Sequence, residues 1–312
     1  MTWVNDIVQG ILLGGYYGII ACGLALMFGV MRIINLAHGD IAVLGAFLIY
    51  LLLEHWHTSP FVALLPVLPV MLVLGYLLQR LILQRSLRSG VLTPLLATFG
   101  ISIVIQNVLE QSFGPDVQSL GGDTGSLVTA AWRINSDVSI GALSALIFVA
   151  AILIYAALQF FLSRTSAGRR MRAAAEDPDT AELVGIDAPA VYARATAIAV
   201  GIATLGGLAL ALRTTFSSYA GPDQLIFAFE AVVIGGLGAS LWGALLGGIV
   251  LGIAQTIGAQ LNPEWSVISG HIVFLVVLLS PRGGLLTFRT GGGTGPRFAA
   301  GRRLLTRPRA TS

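Results

Sequence analysis

The chain has 312 residues, 55% of them hydrophobic and only 11% charged, with a formal net charge of +3. An average soluble domain carries about 25% charged residues, so this composition excludes an ordinary water-soluble globule. All 18 basic residues are arginine, which excludes a Walker A lysine or a Schiff-base lysine on this chain. Cys22 is the single cysteine and lies in an apolar run, so no internal disulfide or thiolate metal cluster can form, and it reads as a packed residue.

In chain order, apolar runs of about 20 residues recur along most of the length, the pattern of an all-α polytopic integral membrane protein. The short alternating segments of a β-barrel are not seen. The opening "MTWVNDIVQG" has no basic region ahead of its apolar run, so the first span is expected to be retained rather than cleaved. Candidate spans lie at 7–31, 33–53, 60–83, 91–110, 139–162, 191–212, 225–239, 240–260 and 266–281. The segment 225–239 is too short to cross about 30 Å of hydrocarbon at about 1.5 Å per residue, so a half-helix or re-entrant piece is expected there. The fold class is therefore about 8–10 transmembrane helices, some short or broken.

Charge sorts the connections. Segments 79–90 and 163–190 and the tail after Pro281 are arginine-rich, whereas 110–138 carries Glu110, Asp116, Asp123 and Asp137 against Arg133 alone. The connections 54–60 and 262–265 lack arginine. By the positive-inside rule the first group faces the cytoplasm and the second lies outside. Trp3, Trp56, Trp132 and Trp265 then all fall on the outer side, as an aromatic belt would. Nine crossings with the N-terminus outside and the C-terminus cytoplasmic satisfy these assignments. Residues 1–286 form the expected transmembrane domain. The Arg- and Gly-rich tail 287–312 is expected to be disordered, its arginines free to meet anionic headgroups.

Glycine is abundant, at 38 residues. Single G-xxx-G pairs are uninformative at that content, but "VIGGLGASLWGALLGGIVLG" (233–252) is dense enough to require very close helix contact. In "IINLAHGD" (33–40), Asn35 and His38 would share a helical face while Asp40 stands about 200° round from His38. Gly39 and Asp40 weaken a helix there. These residues either satisfy backbone groups at an interfacial turn beside Arg32, near the inner surface, or belong to a broken helix lining a path. Glu230, in "LIFAFEAVVIGG", is a carboxylate amid apolar residues and is expected to face a path or pair with His271 or Arg213.

The longest arginine-rich connection, 166–201, has helix signals. "RRMRAAAED" is a good helix former. Asp177 or Asp179 offers a cap, Pro178 a helix start and Gly185 a stop. Exposed Leu183, Val184 and Ile186 suit docking into a partner's groove, though a solvated amphipathic connector would carry the same pattern.

Three stretches, "FGVMRIINLAHGDIAVLGAF", "GRRMRAAAEDPDTAELVGI" and "AFEAVVIGGLGASLWGALLGGIVLG", together with the ending "LLSPRGGLL", resemble the LivH-type permease of bacterial ABC importers for branched-chain and other hydrophobic amino acids. They span most of 10–286, and nothing in the resemblance bears on the tail beyond. The resemblance implies an ABC importer permease fold and a complex in the lipid bilayer. Its other members would be a LivM-like second permease subunit (or a second copy), two cytoplasmic ABC ATPases, and a periplasmic or lipid-anchored substrate-binding protein. It further implies no catalysis, cofactor, metal or nucleic acid on this chain, ATP being used by partners. Asn35, His38, Gly39, Asp40, Glu230, Gly235 and Gly236 become candidates for the translocation path or its gate. Arg169, Arg172, Glu176, Asp177, Glu182 and Gly185, in the loop 163–190, become candidates for coupling to the ATPase.

Relatives with these motifs also carry urea or short amides, so the solute is not fixed by the motifs. A secondary transporter would need intramembrane proton or ion sites, for which only Glu230, Asp40 and His271 are available. An intramembrane serine protease would have to pair the serine of "GAS" (238–240) with His271, and no motif context supports it.

Overall fold

The computed structural model of the protein describes residues 2–280, apart from 88, 91, 125–129, 134–138 and 239. The tail 287–312 and the end of the family-like "LLSPRGGLL" lie outside the described residues. Among them, seven helices are long and apolar enough to cross a membrane. They are α1 (Thr2–Met31), α2 (His38–Trp56), α3 (Pro60–Leu78), α5 (Thr93–Phe113), α6 (Ala142–Arg164), α9 (Ala188–Arg213) and α11 (Leu241–Leu261). The third continues through a π-helical turn at Gln79–Leu83 into α4 (Gln84–Leu87). Two short helices, α7 (Ser166–Glu176) and α8 (Pro178–Leu183), occupy the predicted coupling segment, and α10 (Gly221–Gly235) and α12 (Trp265–Leu279) complete the set. A small hairpin, β1 (Ala131–Arg133) with β2 (Ser139–Gly141), sits in the acidic connection.

The expected short piece at 225–239 is α10, beginning earlier, at Gly221. It and α12 have 15 residues each, about 22 Å at 1.5 Å per residue and short of a full crossing. The span expected at 33–53 starts at His38 and runs to Trp56. Residues 32–35 are not helical, so Asn35 and His38 do not share a helix face.

Close glycine contacts set the helix directions. Gly10, Gly14 and Gly18 of α1 face Ile253, Ile249 and Leu245 of α11, an antiparallel pair. The other side of α11 presents Gly247 to Ala231 and Gly243 to Gly235 of α10. One helix thus carries two glycine faces, Gly248 and Gly252 toward α1 and Gly243 and Gly247 toward α10, which lets three backbones approach closely. α9 is antiparallel to α1, Gly206 lying on Ile20 and Gly23 on the Ala199 carbonyl, and α3 is antiparallel to α9, where Gly75 meets Ala197 and Val200. α1 and α9 are the most enclosed spans, with 78% and 83% of their apolar windows buried.

These directions reveal an inverted repeat. α1 is followed by a break, then α2, α3 and α5; α9 is followed by a break, then α10, α11 and α12, each running opposite to its counterpart. Inverted repeats with discontinuous helices are a recurrent membrane-transport architecture. Arginine is also unevenly shared between the ends of the bundle. Arg32, Arg80, Arg85, Arg164, Arg169, Arg170 and Arg172 gather at the end where α1 finishes, while Glu54, Glu110, Asp116 and Glu264 lie at the other. Trp3, Trp56, Trp132 and Trp265, each at least half exposed, lie at that second end. α3 departs from regularity in two ways: Pro66 and Pro69 lie inside it, and the π turn follows it.

Candidate functional site

The two breaks meet in the middle of the bundle. After Met31 the chain turns at Arg32, whose φ of 54° lies in the left-handed region, and runs back along α1. Asn35 Nδ2 approaches Met27 Sδ at 3.7 Å, and His38 Nε2 donates to the Ile20 carbonyl at 2.9 Å. Ile20 lies well inside α1, so His38 stands deep in the span and not near its inner end, as charge topology alone had suggested. Irregular backbone at that depth must be satisfied within the protein. Thr98 Oγ1 accepts from the Leu36 amide at 3.1 Å, Asn35 Oδ1 from the Ala37 amide at 3.0 Å, and the Asn35 carbonyl from the His38 amide at 3.1 Å. That is why Asn belongs at 35: its side chain is a local acceptor for amides that α2 cannot pair.

The second break comes from the opposite side. Phe216 exchanges backbone hydrogen bonds with Gln118 at 2.8 and 2.9 Å, and the Tyr219 hydroxyl donates to the Glu110 carboxylate at the end of α5. That carboxylate pushes the Tyr219 phenol above its usual range, because it holds the proton on the oxygen. α10 then begins against the first turn of α2. A methyl on Gly39 would strike the Gly221 carbonyl and the Leu225 amide, and one on Gly221 would strike the Asp40 carboxylate. The two helix starts are alike in sequence, Ala37-His38-Gly39-Asp40 and Ala220-Gly221-Pro222-Asp223. They pack glycine against backbone in a local two-fold manner.

Asn35, His38 and Asp40 are all buried. Asp40 Oδ2 accepts from Ser102 Oγ at 2.6 Å and Oδ1 from Gln106 Nε2 at 2.9 Å. His38 Nδ1 carries no hydrogen bond. The Ile20 carbonyl requires a proton on Nε2, and the ring is wedged beside Gly23, where a methyl would come within 2.8 Å of Cε1. Ser102, Gln106 and Gly221 escaped sequence reading. The spacing of Ser102 and Gln106, one helical turn apart on α5, was the available signal.

Glu230 is buried and pairs with His271 Nδ1; Arg213, the other partner considered, instead lies 5.4 Å over the Tyr16 ring. Tyr16 donates to Gln224 and Tyr17 to Gln255, and Tyr17 and His271 both lie against Phe227. Glu230 thus belongs to a polar belt joining α1, α10, α11 and α12, apart from the Asp40 cluster. Gly235 sits against the Gly243 carbonyl, and Gly236, at φ 98°, ends α10.

The coupling candidates lie at the arginine-rich end. Thr165 Oγ1 caps α7 by accepting from the Gly168 amide at 3.0 Å, and Asp177 Oδ1 caps α8 by accepting from the Asp179 and Thr180 amides at 3.1 Å. The Thr180 hydroxyl first, then these amides, hold the Asp177 carboxyl below the usual carboxylate range. α7 seats Met171 and Ala174 against the bundle, and Gly168 presses on the Phe161 carbonyl and Leu162 of α6. Arg172 donates to the Leu162 carbonyl and Arg169 to that of Arg164. Glu176, Asp177, Glu182 and Gly185 are exposed, Gly185 ending α8 at φ 82°. A cavity of about 130 Å³, lined among others by Gly29, Met171, Arg172, Gly236 and Ala244, joins the two sets of candidates.

No solved structure matches the chain. The model of the family described as branched-chain amino acid transport system / permease component matches residues 6–278. The chain is 30% identical over 294 residues to the high-affinity branched-chain amino acid transport system permease protein BraD of Pseudomonas aeruginosa, covering 90% of this chain and 95% of that one. It is 29% identical over 301 residues to the permease protein LivH of Escherichia coli, covering 91% and 95%. A probable branched-chain amino acid transport permease protein LivH of Methanocaldococcus jannaschii is 26% identical over 284 residues, covering 85% and 87%. The match runs from the second turn of α1 into α12 and takes in both helix breaks and the arm between them, so the chain belongs to the family of permease components of branched-chain amino acid transport systems.

Proposed function

We propose that this chain is the membrane-spanning subunit of an ATP-driven uptake system that moves branched-chain or other hydrophobic amino acids handed over by a binding protein. The observation that carries the reading is the arm α7–α8. It stands at the arginine-rich end on two capped helix starts and presents Leu183 and Val184, 87% and 73% exposed, beside an αL glycine. Two bare apolar side chains on a short polar helix suit a groove in a partner. With no lysine on the chain for a Walker A motif, that partner is the ATPase. By the positive-inside rule this end, and with it the C-terminus, is cytoplasmic and the membrane is a bacterial inner membrane. The pore pairs this chain with a LivM-like subunit or a second copy.

In mechanism, ATP binding shifts the arm. The arm bears on the cavity beside Gly236, and the two helix starts that meet at Gly39 and Gly221 change their packing, so that access alternates between the faces. Asn35, His38 and Asp40 keep the break satisfied in either state, while selection rests with the binding protein. The test is uptake in cells lacking their own leucine transport, with this chain expressed beside its partner subunits. ATP-dependent leucine, isoleucine and valine uptake is expected. Uptake of urea or acetamide without leucine, or leucine uptake with the ATPases deleted, would overturn the reading.

A further inference from the structure

One surface of the bundle does not suit lipid. α5 has the lowest mean hydropathy of the seven long helices, 1.3, and only 22% of its apolar window is buried. Its exposed strip is graded: Leu96, Phe99, Ile103 and Val104 occupy the part toward the arginine-rich end, and Asn107 and Gln111, with Val108 beside them, the part toward the acidic end. Asn107 gives one amide hydrogen to its own Ile103 carbonyl at 2.8 Å, and its side-chain oxygen has no partner among the described residues. Joined to α5 through Asp40, the first turn of α10 exposes Pro222 and Asp223, and one turn further Ile226. Asp223 has no hydrogen-bond or ion-pair partner among the described residues. Its level is fixed by Gly221, which rests on Asp40, itself held by Ser102 and Gln106 at the middle of α5. The Tyr219–Glu110 bond fastens the start of α10 to the outer part of the same strip.

An unpaired carboxylate exposed at that depth is incompatible with hydrocarbon and calls for water. From Glu110 and Gln111 through Asn107 to Asp223 the wall is polar apart from Val108, and beyond it Ile103, Phe99, Leu96 and Ile226 make it wholly apolar. We propose that this strip of α5 and the exposed face at the start of α10 form one wall of the water-filled outer half of the translocation path, ending at an apolar narrowing beyond Asp223. The proposal rests on the permease reading above, but it concerns solvent access and does not depend on which solute is carried.

Cys22 is fully buried, so the unaltered chain is a silent background for thiol chemistry. Asn107→Cys, Gln111→Cys, Asp223→Cys and Ile226→Cys are made singly in the full complex in native membranes and exposed to a charged, membrane-impermeant thiol reagent. Val117→Cys in the outer connection is the positive control, and Val73→Cys and Val149→Cys, exposed on apolar faces of α3 and α6, are the negative ones. Asn107→Cys, Gln111→Cys and Asp223→Cys are expected to react and, once labelled, to lose uptake; Val73→Cys and Val149→Cys are expected not to react. Four routes overturn the proposal. The first is absence of labelling at 107, 111 and 223 while 117 labels. The second is labelling at 107 and 223 that leaves uptake at its unlabelled rate. The third is reaction of Val73→Cys and Val149→Cys as fast as the wall positions. The fourth is oxidative cross-linking of Asn107→Cys between subunits without reagent access, which would make the strip a subunit interface. If the complex carries no amino acid, the labelling pattern still decides the wall, and the uptake test alone fails. If Asp223→Cys does not assemble, Gln111→Cys and Asn107→Cys carry the test.

Discussion

Asp40 is the best-defined group at the junction, and its role is read from its partners. Two donors reach it inside the bundle, so Asp40→Ala strands both. Leaving buried polar groups unmade costs about 1–3 kcal/mol; a matching drop in the thermal stability of the purified complex is expected, and Asp40→Ala with Ser102→Ala should cost less than the two singly summed. Gly39 and Gly221 are tested by size. Gly39→Ala sets a methyl on backbone that cannot retreat, and overpacking of this kind costs about 1–3 kcal/mol. Gly29, whose added methyl would meet nothing within 4 Å, serves as the neutral comparison; equal melting temperatures for Gly39→Ala and Gly29→Ala would sink the idea that the two helix starts touch here.

The arm α7–α8 shows what can be read from sequence at the scale of an element. A cap at Asp177 or Asp179, Pro178 as helix start and Gly185 as stop were all legible, because capping chemistry is local; only the structure chooses Asp177. The break at 32–37 was only half legible. Gly39 and Asp40 marked a discontinuity, but its depth depends on contacts with Ile20 and Thr98, distant in sequence and invisible to a charge count. Likewise Glu230 was visible as an anomaly, while its choice of His271 over Arg213 is a matter of tertiary packing. Two predictions belong to the arm. Gly185→Ala forces φ 82° on a residue with a Cβ, a cost of roughly 1–2 kcal/mol; ATP hydrolysis by the complex is expected to continue while uptake falls, and full uptake would remove the arm from coupling. The Asp177 cap also carries a pH signature. A carboxyl lowered on folding stabilises above its unfolded value of about 4, and that contribution fades as pH falls through the lower folded value. The protection of the Asp179 and Thr180 amides against exchange, taken relative to the intrinsic rate at each pH, should therefore fall on acidification below about 4, and in Asp177→Asn, which still caps but does not titrate, that fall should vanish.

At the scale of the whole molecule the arrangement is an inverted repeat whose two interruptions reach one depth. Its orientation is open to measurement: a reporter fused after the C-terminus should be active only in the cytoplasm, and one inserted at 115–117 only outside. The reverse result would invert the arm and remove it from any cytoplasmic ATPase. One further property of the assembly is mechanical. Pro66 and Pro69 each delete a rung of the hydrogen-bond ladder of α3, and the π turn at Gln79–Leu83 loosens its far end. A column weakened at three places flexes under a load that its unbroken neighbours transmit as stiff struts. α3 is thus the span whose backbone resists bending least, beside α1 and α9, which close glycine contacts hold together.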